Sequence, residues 1–299
     1  MNLSDPLDPP TSLALRVGCS LDYHVDAPAP IMLKIEPYPM PSRVFIDQKL
    51  RIGNDSAVER RHDCHGNAIL SAILTPGLSR IRYDAILHVV ADTNCLDTPP
   101  LGDAVRALPD DVGMYTFPSR YCESDKLVAF AASTFATFPA GRERAQAICD
   151  WTHEHIEYRY GSGDASLSAC EAIDRGYGVC RDFAHVMIAL CRAVDMPARY
   201  VAGYVPLLAG CVQEFDIGID FHAYVEVYVH GIWHVFDPRH ARLYGPHIKI
   251  AQGMDAIDAA FATFSGVVTP LKFQVWAYEL DLSVLRLEDA VLSLVAVDH

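Results

Sequence analysis

Residues 176–185 read Gly176-Tyr177-Gly178-Val179-Cys180-Arg181-Asp182-Phe183-Ala184-His185. A flexible Gly-x-Gly turn hands over to an apolar helix, and a cysteine stands at the junction. Phe183, Met187, Leu190 and Val194 recur at i, i+4, i+7 and i+11, one stripe of a helix that starts near Cys180. Asp195-Met196-Pro197 stops it. A thiol reacts as its thiolate, and a helix N-terminus lowers thiol pKa through its unpaired N–H groups and the positive end of the helix dipole. Gly176 and Gly178 let the chain turn tightly and keep bulk away from the sulfur, so that a carbonyl can approach. The same backbone N–H groups, that of Cys180 first, are able to stabilise an oxyanion.

A reactive thiol needs a base, and thirteen histidines make mere presence uninformative. Geometry selects one. In FHAYVEVYV-HG-IWHVFD, taking His230-Gly231 as a two-residue turn pairs Val229 with Ile232. Counting back sets Tyr224 opposite Asp237 and His222 diagonally beside it, where Cα atoms lie about 7–8 Å apart. Ala223, Val225, Val227, Val229, Ile232 and Phe236 occupy the other, core-facing side. His222 and Asp237 therefore share a face. Cys180 as nucleophile, His222 as base and Asp237 as orienting acid make a coherent set for acyl transfer.

Working outward, SDKLVAFAASTFATF begins with Ser124 as a helix cap and is apolar around most of its circumference, as a buried helix would be. GRERAQAICDWTHEHIEY puts Ala145, Ile148, Cys149, Thr152 and Ile156 on one stripe. Past Pro197 the pattern turns to strands: ARYVAGYVPL, FHAYVEVYV, IWHVFD and LKFQVWAYELDL. Upstream, LALRVGCSLDYHV, IMLKIEPYP, RVFIDQKLRI, AILSAILTP and SRIRYDAILHVV alternate like antiparallel strands and predict a β-sandwich-like region. The expected fold class is α+β. The expected organisation is a tail at 1–11, a β-rich domain at 12–95, an Asp- and Pro-rich linker at 96–116 and a catalytic domain at 117–299.

Bulk properties narrow the function. The chain has 299 residues and a formal charge of −14, which repels phosphate backbones and anionic lipid surfaces, so neither nucleic acid nor membrane is expected as a partner. MNLSDPLDPP lacks a basic stretch followed by an apolar one, and no apolar run is long enough to span a bilayer. A cytoplasmic location is expected. Nine cysteines at irregular spacing, with no Cys-x-x-Cys pair, suit reduced thiols.

The residues resemble the bacterial transglutaminase-like superfamily, whose core is papain-like. Gly-Val-Cys-Arg-Asp-Phe-Ala, Pro-Ala-Arg-Tyr-Val-x-Gly-Tyr, His-Ala and Phe-Asp-Pro stand in that family's order and spacing over roughly 140–240. SLSACEAIDRG resembles the approach to its nucleophile, DCHGN at 63–67 a signature of its β-rich N-terminal region, and FPSRYCESDKL at 117–127 the link between the two. The resemblance implies helices packed on an antiparallel sheet and a thioester acyl-enzyme carried by Cys180, His222 and Asp237. Two positions depart from the family's pattern: Arg239-His240 stands where Thr-Asn is frequent, and Tyr224 where Trp is usual. Both could reshape the acyl pocket. Tyr158 and Tyr160 are candidates for a side-chain oxyanion donor by position, and Gly178 and Tyr224 for the pocket.

Other motifs carry less. In His153-Glu154-His155 the histidines point to different helix faces, unlike the one-turn spacing of zinc-binding His-Glu-x-x-His. His62-Asp63-Cys64-His65 reads as a turn before Gly66-Asn67, without a second ligand cluster. His185 reads as a packing residue, His234 as a satisfied core histidine, Asp182 as a partner for the helix dipole, and Cys149 and Cys191 as small core residues. No metal or other cofactor is needed for the chemistry. The expected activity is cleavage of a peptide, isopeptide or other amide bond in a peptide or protein substrate. Capture of the thioester by an amine acceptor, giving protein-glutamine transamidation, stays open, as does a noncatalytic binding scaffold of the same fold.

Overall fold

The alternating segments of the N-terminal third form six strands: β1 (Ser12–Val25), β2 (Ala29–Leu33), β3 (Arg43–Ile52), β4 (Glu59–His62), β5 (Ala68–Leu74) and β6 (Gly77–Val90). The computed structural model describes residues 12–53, 56–90, 108–208, 220–243 and 245–281. The tail at 1–11 and most of the 96–116 linker lie outside the described residues. On β1 and β6 the inward positions are Leu15, Val17, Cys19, Leu21, Tyr23 and Ile81, Tyr83, Ala85, Leu87, all buried. Alternation on this scale is what a sheet with one buried face requires.

The helical elements follow: α1 (Asp110–Gly113), α2 (Ser124–Phe135), α3 (Arg142–His155), then strand β7 (Glu157–Tyr158), α4 (Ala169–Arg175), β8 (Tyr177–Gly178) and α5 (Cys180–Ala193). The chain closes with β9 (Ala198–Tyr204), β10 (His222–Val229), β11 (Ile232–Phe236), β12 (Ile248–Gly253), β13 (Ala262–Phe264) and β14 (Val268–Glu279). Every residue of α5 from Asp182 to Ala193 is buried, so this helix is surrounded rather than laid on a surface. It packs on α2, α3 and α4 on one side and on β9 and β10 on the other. The sheet behind it runs β11-β10-β9-β12, antiparallel throughout. The fold is α+β, with helices on an antiparallel sheet, as expected.

Two further four-stranded sheets, β14-β1-β6-β3 and β13-β2-β5-β4, make the β-rich part. Their last members come from the other end of the chain. β14 pairs with β1 from Leu15↔Glu279 to Val25↔Val268, and β13 pairs with β2. The division expected from sequence assigns residues 262–279 to the catalytic segment, whereas their backbone pairing puts them in the N-terminal sheets. Hydrophobic alternation marks a strand but does not name its neighbour. Pro270 lies beside the bulge on β14, an edge position that tolerates the missing N–H.

DCHGN joins the two parts. The Asp63 carboxylate accepts from Lys34 Nζ (2.8 Å), His65 N (2.9 Å), Asn67 N (2.9 Å) and Asn67 Nδ2 (2.9 Å). Thus held, the Asn67 amide donates to the Gln252 carbonyl (2.7 Å) and accepts the Gln252 N–H (2.8 Å), pairing with β12 as a neighbouring strand would. The turn expected at 62–65 is present, with Gly66 at φ +77°.

α2 differs from expectation. It starts at Ser124 with Glu123 in the cap position, and only Ser124, Ala131 and Phe135 are buried, while Val128 and Phe130 are exposed. An all-round apolar helix therefore keeps one face outside. Among the described residues no helix is long and apolar enough to cross a membrane.

Candidate active site

α4 ends at Gly176, whose φ of 73° is the left-handed conformation that closes a helix without a Cβ penalty. Two residues later Gly178 serves a different need. A Cβ there would lie 2.6 Å from Asp182 Oδ2, so glycine makes room for a carboxylate rather than for the sulfur alone. Asp182, 1% exposed, accepts the Val179 N–H at 2.9 Å and pairs with Arg181 at 3.1 Å. The first turn of α5 is thereby fixed in position, and Cys180, half-buried, is its first residue. β7 pairs in parallel with β8, Tyr158 beside Gly178, which brings Tyr158 to the same turn.

The base arrives on the β10–β11 hairpin. His230 (φ 51°) and Gly231 (φ 90°) form its two-residue turn, and the ladder runs from Val229↔Ile232 to Val225↔Phe236. This register continues to Tyr224 opposite Asp237, with His222 diagonal to it. His222 Nε2 lies 2.8 Å from Asp237 Oδ2. A carboxylate only accepts, so Nε2 carries the proton and Nδ1 is the ring's other nitrogen, while Cys180 lies close enough to help raise the His222 pKa. The structure thus brings Cys180, His222 and Asp237 together.

The charges support one another. Burial alone would push the His222 imidazolium pKa down, but the Asp237 carboxylate and then Cys180 outweigh it and raise it. Burial opposes ionisation of Asp237, yet His222, then hydrogen bonds from His240 and His247, hold its carboxyl well below the usual range. His240 Nδ1 lies 2.8 Å and His247 Nε2 3.3 Å from the same Oδ2. The backbone N–H of Arg239 donates to Oδ1 at 3.2 Å.

The pocket candidates separate. Tyr158 stays close to the nucleophile: burial pushes its phenol pKa up, Arg239 opposes this, and Cys180 adds to the rise. The Arg239 guanidinium stacks 3.7 Å over its ring. Tyr160 points away into solvent, 83% exposed. Tyr224 is buried behind the site, its ring edge-on to His247 at 4.8 Å between centroids. Sequence reasoning missed His247, for which Pro246-His247 gives no signal. His240 was noted only as a departure, although its i+3 spacing from Asp237 on a turn was a usable clue.

The residues set aside have structural partners. His185 is fully buried against Tyr121 and accepts the Ala256 N–H at 3.2 Å; burial pushes its pKa well down, so it stays neutral. His155 stacks on Trp151 and His153 bonds to the Arg239 carbonyl at 2.9 Å. Cys149 and Cys191 are buried, and burial pushes the Cys191 thiol up to about 12. His234 is half-buried, not a core residue.

The description of the Transglutaminase-like superfamily matches residues 128–238, which hold all three of these side chains. The crystal structure of a provisionally named cysteine protease from Cytophaga hutchinsonii is 31% identical and superposes with a TM-score of 0.77, covering 90% of this chain and 91% of that one. The chain belongs to the transglutaminase-like superfamily. It carries a cysteine-enzyme-type fold. An uncharacterized protein of Mycobacterium leprae is 25% identical over 143 residues, and one of Mycobacterium tuberculosis 29% over 142. These matches cover 48% and 45% of this chain and 51% and 45% of the relatives, so the chain spans about half the length of these two relatives.

Proposed function

We propose that this transglutaminase-like protein is a cysteine hydrolase that cleaves an amide bond of a peptide or protein through a thioester. The observation that carries this reading is the 2.8 Å hydrogen bond from His222 Nε2 to Asp237 Oδ2, with Cys180 at a helix start close enough to help raise the His222 pKa. His222 Nδ1 takes the thiol proton, and Cys180 Sγ attacks the carbonyl carbon. The oxyanion that forms meets the Cys180 N–H, with the Tyr158 hydroxyl as a candidate side-chain donor. His222 then gives its proton to the leaving amine as the C–N bond breaks. Water, deprotonated by the same nitrogen, attacks the thioester carbon, and the C–S bond breaks to release the acid and restore the thiol. Asp237 keeps the imidazole in one tautomer and balances its charge through both halves.

The name of the Cytophaga hutchinsonii protein favours hydrolysis as the outcome. Incubation with a peptide library bearing internal glutamine and isopeptide bonds, with and without a primary amine, tests this by mass spectrometry. The expected products are free acids, absent with Cys180→Ala. Peptide–amine conjugates in their place would mean transamidation, and no product from any amide would favour a scaffold.

A further inference from the structure

A catalytic histidine needs one carboxylate, and a carboxylate needs one histidine. Here three imidazoles converge on a single oxygen, with His222 Nε2 and His240 Nδ1 at 2.8 Å and His247 Nε2 at 3.3 Å from Asp237 Oδ2. One carboxylate oxygen has two lone-pair directions, so three ring nitrogens around it exceed what it accepts well. The side chains of His222, His240 and Asp237 are 7%, 5% and 1% exposed. Their ligand atoms all lie within 4.8 Å of one another.

The outer partners point the same way. Asp237 Oδ1 accepts the Arg239 N–H at 3.2 Å, which orients the carboxylate. His247 Nδ1 lies 3.1 Å from the Gly245 carbonyl, an acceptor only, so that nitrogen donates. Its Nε2 therefore faces Oδ2 as acceptor to acceptor unless a proton or a metal cation lies between or beside them. Backbone-anchored imidazoles and hydrogen-bonded carboxylates are what surround metal ligands in general.

We propose that His222 Nε2, His240 Nδ1 and Asp237 Oδ2 form a binding site for a divalent transition ion of the zinc type, mutually exclusive with the catalytic arrangement. Two imidazole nitrogens and one carboxylate oxygen are a borderline donor set, suited to Zn²⁺ or Co²⁺ and unsuited to Ca²⁺ or Mg²⁺, which prefer oxygen ligands. Bonds of about 2.0–2.2 Å to these atoms require the present N···O contacts to open by roughly half an ångström, leaving the fourth position for water or His247. Asp237 also lines a cavity of about 680 Å³ together with Arg142, Asp150, His153, Glu154 and Arg242. An imidazole bound through Nε2 keeps its one proton on Nδ1. It then has no lone pair for the thiol proton, so the metal-bound protein lacks its base. Each ring that starts as an imidazolium releases one proton on binding, and affinity falls as pH falls.

The test uses Cys180→Ala, which removes the sulfur and any dependence on turnover. Zn²⁺ competition against a chromophoric chelator and Co²⁺ absorption are read at pH 7.5. One ion per chain is expected, with visible bands of a four- or five-coordinate Co²⁺ site and no sulfur-to-metal charge-transfer band. Cys180→Ala/His240→Asn keeps a hydrogen-bond donor near Asp237 and is expected to bind at least tenfold more weakly. Equal affinity in the two variants, a sulfur band in Cys180→Ala, or no bound ion would each overturn the proposal. None of these outcomes bears on whether Cys180 is a nucleophile.

Discussion

Asp237 is 2% exposed, lies against three imidazoles and accepts a backbone N–H, so its replacement is felt in two ways. Asp237→Asn keeps the shape but lets His222 adopt the wrong tautomer, and turnover of an activated ester is expected to fall by about 10⁴-fold. A loss below tenfold would remove Asp237 from the mechanism. The second effect is on stability. Asp237 is held below its ordinary pKa, so its contribution is present above the unfolded value near 3.9 and is lost as pH falls through the folded value. His222 is raised, so its contribution is full below about 6.5 and fades as pH rises through its folded value. The stability gap between wild type and Asp237→Asn, from urea melts, is expected to be widest between about pH 4 and 6.5. A gap that grows steadily from pH 7 to 10 would contradict this. At this scale Cys180, His222 and Asp237 were legible because a Gly-x-Gly turn and a two-residue hairpin turn fix backbone geometry locally. His247 was not, because it reaches Asp237 from a loop that no periodicity describes.

The first turn of α5 rests on the Asp182 carboxylate, which caps Val179 and fills the space where a Gly178 side chain would stand. Gly178→Ala forces that carboxylate aside and is expected to cost about 1–3 kcal/mol in denaturant melts, as overpacking does. It is also expected to slow Cys180 alkylation. Unchanged stability and reactivity would show that the turn has slack. Both glycines were visible in the sequence, but the reason for the second was not, because it lies in a contact four residues on. α2 teaches the converse: its composition reads as a buried helix, while Val128 and Phe130 remain outside. Composition gives the number of apolar residues; the neighbours decide which of them are covered.

Over the whole molecule, the two parts are tied at the Asn67–Gln252 pairing and by β13 and β14 returning to the N-terminal sheets. Asn67→Ala strands a buried N–H and C=O of β12, each worth about 1–3 kcal/mol. Thermal unfolding is expected about 2–4 °C lower for each kcal/mol lost. No change would mean that water replaces the amide. Alternation along 268–279 was readable as a strand, yet its pairing with β1 was not, because a partner some 250 residues away leaves no local trace. The proposed activity requires that these packed elements deliver an activated thiol. The direct measurement is the alkylation rate of Cys180 against pH, followed on its own peptide by mass spectrometry in wild type and His222→Ala. Rapid labelling at pH values where an ordinary thiol is protonated, lost in the variant, is the predicted result. Labelling no faster than an ordinary exposed cysteine, or equally fast without His222, would contradict it.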